Sequence, residues 1–151
     1  MESPQARNRK EKKLYLYMTM AYTISEMSTC NRRAVGCVVV SPEGFILSTG
    51  YNGSPSGMKH CTEDGCTLDP ESHRCLRSLH AETNAIISAS RFGSSLEGAS
   101  IFVTTRPCLQ CTLALIQSGI SSIYYSDEYK SDSEAQFKKF CEEGEVDVHR
   151  I

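Results

Sequence analysis

His80, Glu82, Cys108 and Cys111 are the residues of this chain whose types and spacing could do chemistry together. One imidazole nitrogen and two sulfurs make three ligands for a zinc ion. A tetrahedral ion then keeps a fourth position for water, the arrangement of a catalytic rather than a structural site. Cys108 and Cys111 stand at i and i+3, so on a helix both sulfurs reach one ion from one face. Zinc takes thiolates, and a helix start together with the metal lowers the thiol pKa. Glu82, two residues from His80, can reach a bound water without binding the metal. A carboxyl so placed takes a proton from water, delivers it to a substrate and returns one to a leaving group, if its pKa lies near the working pH. The competing reading is a zinc knot that staples two helices. The three-ligand set and the unused carboxyl beside it speak against a knot.

The elements that must position these residues follow from pattern. Leu14, Tyr17, Met18, Ala21, Ile24 and Met27 recur at three and four, which predicts an amphipathic helix from Lys10 to about Ser28, after a frayed tail over residues 1–9. Its early basic residues, Arg7, Arg9, Lys10, Lys12 and Lys13, read as a solvated face more readily than as a binding patch. Val35 to Val40 and Phe45 to Thr49 flank the turn Ser41-Pro42-Glu43-Gly44 and predict a hairpin. Cys37 lies inside its first strand and reads as a small buried hydrophobe. The run Gly50 to Gly57 is an irregular loop. It is either a simple turn or a place where glycine lets backbone approach a ligand.

Residues 58–79 form a long connection carrying His60, Cys61, Cys66, His73 and Cys75, and a loop of that length calls for something to hold it, such as a metal. Beyond it the pattern predicts a helix from Leu79 to Ser90 and a strand from Ser100 to Thr105. A helix from Cys108 to Ser118 follows, started by Pro107 and ended by Gly119. Then come a strand from Ser122 to Tyr125, a helix from Ser133 to Glu143 and a strand from Val146 to Arg150. Alternating helices and strands imply an α/β fold, a mixed sheet with helices on both faces. His80, Cys108 and Cys111 then fall at the starts of two neighbouring helices.

Bulk properties narrow the class. With 151 residues, 40% hydrophobic and 23% charged, the chain fits one domain over 1–151 with a real core. There is no apolar run of about 18 residues for a membrane span, and Met1 to Lys13 has no apolar stretch of a secretory signal. These features point to the cytoplasm, host cytoplasm if the chain is viral. Eight cysteines without such a signal favour metal binding in a reducing compartment over a disulfide framework. A net charge of −2 exerts no global pull on nucleic acid.

The ordered pair H-x-E and P-C-x-x-C is the signature of zinc nucleobase deaminases, and the chain resembles one branch of them, the zinc-dependent deoxycytidylate (dCMP) deaminases of bacterial and phage type. The resemblance includes Cys30 with Arg32, Arg33, Val35 and Gly36, then GYNGSPSG at 50–57 and HAETNAI at 80–86. It continues through GSSLEGASIFVTTRPCLQC at 93–111 and QSGISSIYYSDEY at 117–129. It implies a cytidine deaminase-like three-layer α/β/α fold with a five-stranded mixed sheet. It also implies hydrolysis of dCMP to dUMP and ammonia, which supplies thymidylate synthesis. By resemblance His80, Cys108 and Cys111 bind the catalytic zinc and Glu82 shuttles protons. Asn52 contacts the deoxyribose, and Tyr129 lies near the substrate phosphate. Arg91 resembles an interface arginine close to the nucleotide sites, with an ordinary helix-ending cation as the alternative. The resemblance further implies a homohexamer activated by dCTP with magnesium and inhibited by dTTP.

Two departures stand out. Cys37 replaces a usual alanine, and the 58–79 loop differs in length and ligands from phage enzymes that hold a second, structural zinc. Cys30 and Cys61 match two of its ligands by position, and His73 and Cys75 are expected to complete it, with Cys66 as the main competitor. Two other functions compete with the nucleotide deaminase. One is an editing deaminase acting on tRNA or DNA, which needs a basic groove. The other is a zinc-stabilised nucleotide sensor or scaffold, which would not need an intact H-x-E. Neither a nucleic-acid nor a membrane partner is expected.

Overall fold

The computed structural model describes residues 5, 8–130 and 132–151. Within them the chain runs α1 (Arg9–Ser25), β1 (Gly36–Val40), β2 (Ile46–Tyr51), α2 (Cys61–Asp64), α3 (Ala81–Phe92), β3 (Ser100–Thr105), α4 (Leu109–Gln117), β4 (Ser122–Asp127), α5 (Glu134–Glu143) and β5 (Asp147–Arg150). Most of the tail expected over residues 1–9, and with it Arg7, lies outside the described residues. Arg9 already belongs to the helix. Asn8 caps α1, its side-chain oxygen accepting from the Glu11 amide at 3.0 Å while Glu11 accepts from the Asn8 amide at 3.2 Å. Such a reciprocal box fixes a helix start more firmly than apolar periodicity does.

The same helix stops short of Ser28. The Ser28 hydroxyl donates instead to the Asn52 side chain at 2.6 Å. Met27, expected on the packed face, therefore lies past the helix end and is 62% exposed. The 58–79 connection also contains more structure than expected, the short helix α2 and a bridge between Leu68 and Cys75.

One five-stranded sheet has the order β2-β1-β3-β4-β5. β1 is antiparallel to β2 and β3, whereas β3, β4 and β5 are parallel to one another. Alternate residues of each strand go to opposite faces. Val38, Val40 and Phe102 pack under Tyr17, Met18 and Ala21 of α1. Cys37, Val39, Ile101, Val103, Ile123 and Tyr125 pack with Ala81, Ala85, Leu115 and Phe137 of α3, α4 and α5. The result is a three-layer α/β/α arrangement, as expected. It explains why β1 reads as an unbroken apolar run, since both its faces are covered. Cys37 is buried in that core as a small hydrophobe, its sulfur donating to the Ala81 carbonyl at 3.3 Å.

Gly50 decides how closely α3 lies on the sheet. A Cβ there would collide with the Ala81 carbonyl and come within 2.8 Å of the Ala85 amide. Ala81 is the first residue of α3, directly after His80. Gly50→Ala is expected to destabilise the protein by about 1–3 kcal/mol through overpacking. Urea unfolding measures this, and an unchanged midpoint would show that α3 can retreat freely.

Candidate active site

His80 and Cys108 are both N-cap residues, His80 of α3 and Cys108 of α4. The His80 side chain makes no capping bond, so its ring is free to face the sulfurs. Its Nδ1 lies 3.5 Å from Cys108 Sγ and 3.4 Å from Cys111 Sγ. Ligands about 2.0 and 2.3 Å from a tetrahedral zinc ion stand roughly 3.6 Å apart. Both imidazole–sulfur separations match such an ion, and all three donor atoms lie within 4.8 Å of one another.

Electrostatics agree with the geometry. A bond from the Cys111 thiol, then bonds from His80 and the Cys111 amide, hold Cys108 down to about 4. The bond to Cys108, then burial, pushes Cys111 up. His80 is raised, chiefly by its bond to Cys108. One negative charge forms readily and the second is resisted. A cation replacing the shared protons would relieve that opposition.

Glu82 is 3% exposed, on the first turn of α3. Burial raises its carboxyl to about 7, against an opposing bond within its own residue and the attraction of His80. It also bonds to the Cys111 side chain, which puts the carboxyl next to the ligand triangle. Thr83 Oγ1 lies 3.6 Å from Cys111 Sγ.

The remaining expected residues fall in three places. Asn52 is buried, and its side chain is engaged with the protein. Oδ1 accepts from Val35 N at 2.9 Å and from Ser28, and Nδ2 donates to the Arg33 carbonyl at 2.7 Å. It thereby ties the glycine-rich loop to residues 28–35. That loop is in turn bound to the approach of His80 by paired backbone bonds between Gly53 and Leu79 at 3.0 and 2.8 Å. Tyr129 is half-buried on the segment after β4. Arg91 is exposed at the end of α3, its guanidinium 5.6 Å from the centre of the Phe92 ring.

In the cysteine-rich connection the sulfurs that lie together are not the whole of the expected second ligand set. Cys61, Cys66 and Cys75 converge with their sulfurs within 4.8 Å of one another. Cys61 and Cys75 are 3.7 Å apart, against about 3.8 Å for two sulfurs on a tetrahedral zinc ion. Burial, then the bond to Cys75, pushes Cys61 up to about 12. Cys75, despite burial, is brought down to about 7 by the Arg77 and Ser78 amides. His73 and Cys30 lie outside this group. His73 sits in an exposed turn with φ 58°, closed by bonds from the Asp69 amide to the Arg74 carbonyl and from the His73 amide to the Asp69 carbonyl, and its own carbonyl is taken by Arg32 at 2.7 Å. Cys30 is held near Cys61 through its neighbours. Thr29 O accepts from Thr62 N at 3.3 Å, and Asn31 Nδ2 donates to the Cys61 carbonyl at 2.7 Å.

Two residues near the triangle escape a reading by motif. Arg106 is 2% exposed, and Asp132 accepts the Leu109 amide at 2.8 Å, one residue from Cys108. The one sequence signal for Arg106 is a charge placed between an apolar strand and Pro107-Cys108.

Comparison with known proteins bears on this arrangement. Residues 11–127 match the cytidine and deoxycytidylate deaminase zinc-binding region. The chain is 38% identical over 135 residues to ComE operon protein 2 of Bacillus subtilis, covering 89% of this chain and 69% of that protein. It is 34% identical over 148 residues to the deoxycytidylate deaminase of Enterobacteria phage T4, covering 74% of this chain and 76% of that protein. The deoxycytidylate deaminase of Saccharomyces cerevisiae is 39% identical over 124 residues, 79% of this chain but 39% of the yeast protein. Among solved structures, the dCMP deaminase of cyanophage S-TIM5 in complex with dCMP and dUMP is 32% identical, with a TM-score of 0.79 over 96% of this chain and 99% of that one. Among the described residues no helix is long and apolar enough to cross a membrane.

Proposed function

The chain belongs to the zinc-binding cytidine and deoxycytidylate deaminase family, and we propose that it acts as a single domain to convert dCMP and water to dUMP and ammonia. The observation that carries this reading is the triangle of His80, Cys108 and Cys111 with a buried carboxyl beside it. Two relatives of substantial coverage, the phage T4 protein and the S-TIM5 structure, are both dCMP deaminases.

In this reading His80, Cys108 and Cys111 hold zinc, which supplies the Lewis acidity that makes water a nucleophile at neutral pH. The chain's own residues handle protons and position. Glu82 accepts a proton from the attacking water as the C4–O bond forms and delivers it to the pyrimidine ring nitrogen N3. It then takes the remaining proton of the C4 hydroxyl and passes it to the amino group, so that the C4–N bond breaks, the C4=O bond forms and ammonia leaves. A carboxyl near 7 can serve as base and then acid. The deoxyribose contact expected of Asn52 falls to its second Nδ2 hydrogen, since the first is given to Arg33. Tyr129 takes the phosphate side.

The reading is tested by following the conversion of dCMP to dUMP with coupled ammonia release. Turnover of cytidine or dCTP in place of dCMP would overturn the substrate assignment. The same assay with dCTP and magnesium, and with dTTP, tests the regulation that the family resemblance suggests. Light scattering tests the homohexamer, in which Arg91 would lie at a subunit interface.

A second zinc fits Cys61, Cys66 and Cys75, with Cys30 as the fourth donor because the residues on either side of it are hydrogen-bonded to Cys61 and Thr62. Four sulfurs would close the shell, the mark of a structural site. Two zinc ions per chain are expected by elemental analysis. Cys66→Ser is expected to bring the ratio near one with dCMP turnover largely retained. A wild-type ratio near one would remove the site, and a ratio unchanged from two in Cys66→Ser would remove Cys66 from it.

A further inference from the structure

We propose that Arg106 is a positioning residue for substrate recognition, fixing Glu128, Tyr129 and Asp132 beside the metal-ligand turn so that Tyr129 meets the substrate phosphate in a preset place. The inference rests on the dCMP reading above.

Residues 106–109 and 128–130 are the two segments that leave the sheet at the same end of the parallel pair β3 and β4, where Thr105 is in register with Asp127. The Arg106 amide extends that ladder by one bond, to the Asp127 carbonyl at 2.7 Å. Its side chain then reaches across the second segment. Nε donates to Glu128 Oε2 at 2.7 Å, and Nη2 donates to the carbonyls of Tyr129 at 2.6 Å and Asp132 at 2.9 Å. The guanidinium lies 5.1 Å from the centre of the Phe137 ring, which fixes its plane. Asp132 closes the tie from the other side. Its Oδ2 accepts the Leu109 amide, and its Oδ1 pairs with Arg74 at 3.4 Å.

Two segments joined at both ends in this way form one unit. An apolar side chain of similar volume would fill the space at less electrostatic cost. It could not fix the direction of the two carbonyls, which the planar fork of a guanidinium does. Among the described residues, Arg106 Nη1 is buried without a hydrogen-bond partner. Its charge is paired with Glu128, yet one donor goes unmet among those residues, a cost that fits a role in geometry better than one in stability alone. Arg106 itself is too buried to touch substrate and acts through the segment it holds.

The test measures kcat and KM for dCMP, with zinc content, in wild type, Arg106→Lys, Arg106→Met and Asp132→Asn. With Arg106→Met, KM is expected to rise at least about tenfold with kcat within about threefold and zinc unchanged, the pattern of lost uniform binding. Arg106→Lys, which keeps the charge but not the fork, is expected to recover only part of the loss. Asp132→Asn, altered at the less buried end of the tie, is expected to raise KM in the same way. It decides the matter if Arg106→Met does not fold. A fall led by kcat, loss of zinc, or no change in either constant would overturn the proposal. Wild-type protein that fails to turn over dCMP overturns the substrate reading and this inference with it. Normal wild-type turnover with a kcat-led loss overturns this inference alone.

Discussion

Glu82→Gln protein is expected to bind zinc at the wild-type ratio and to turn over dCMP on the order of 10²–10⁴-fold more slowly, as loss of a general acid–base does. Glutamine matches the shape of the buried side chain but neither accepts nor returns a proton at the working pH. Single-turnover rates with a zinc assay check this, and a variant within a few-fold of wild type would remove Glu82 from the proton path.

The same substitution carries a second readout that involves no activity. Burial moves the Glu82 carboxyl from 4.5 to about 7 in the metal-free protein. The folded state then binds more protons than the unfolded state between those values, so metal-free stability falls as pH rises through that window. The contribution of Glu82 is fully present below the unfolded value and is lost above about 7. Glutamine has no such dependence. Metal-free Glu82→Gln should therefore match wild type near the bottom of the window and exceed it by about 3 kcal/mol above the top. Urea unfolding of metal-free protein at both ends of the range measures the difference. A gap that does not change with pH would show that burial does not strain this carboxyl.

Cys108→Ser is expected to abolish turnover together with zinc binding at the catalytic site. Cys108 is the sulfur that ionises first, held down to about 4 by the Cys111 thiol and then by His80 and the Cys111 amide. Serine at this N-cap can still accept the amide and keep α4 started, so helix content should survive. What is lost is the anion that draws the metal in. Zinc affinity of the wild type should also weaken as pH falls, because the Cys111 thiol and the His80 ring must both lose protons to bind. Zinc titration with a competing chelator at several pH values measures both effects. Retention of two tight zinc ions by Cys108→Ser would overturn the ligand assignment.

The catalytic set is legible because its parts are local. Cys108 and Cys111 share one helix turn, and His80 and Glu82 share another. Proline and glycine mark where those helices begin and end, so residue type and spacing along the chain already imply a metal triangle with a carboxyl beside it. The sheet is legible for the same reason, each strand being a short apolar run between turn residues. The cysteine-rich connection has no such period. Its sulfurs meet through a chain path closed by long-range bonds, from Arg32 to His73 and from Asn31 to Cys61. Spacing alone therefore could not choose Cys66 over His73. Nor could it show that Asn52 is bound to the backbone of Val35 and Arg33, or that a buried arginine joins the turns after β3 and β4. Residue order along the chain determined that His80, Cys108, Cys111 and Glu82 come together, because helix geometry converts spacing into proximity. The partners of Cys61, Asn52 and Arg106 were decided only in the folded protein, because contacts between distant segments depend on how the layers pack.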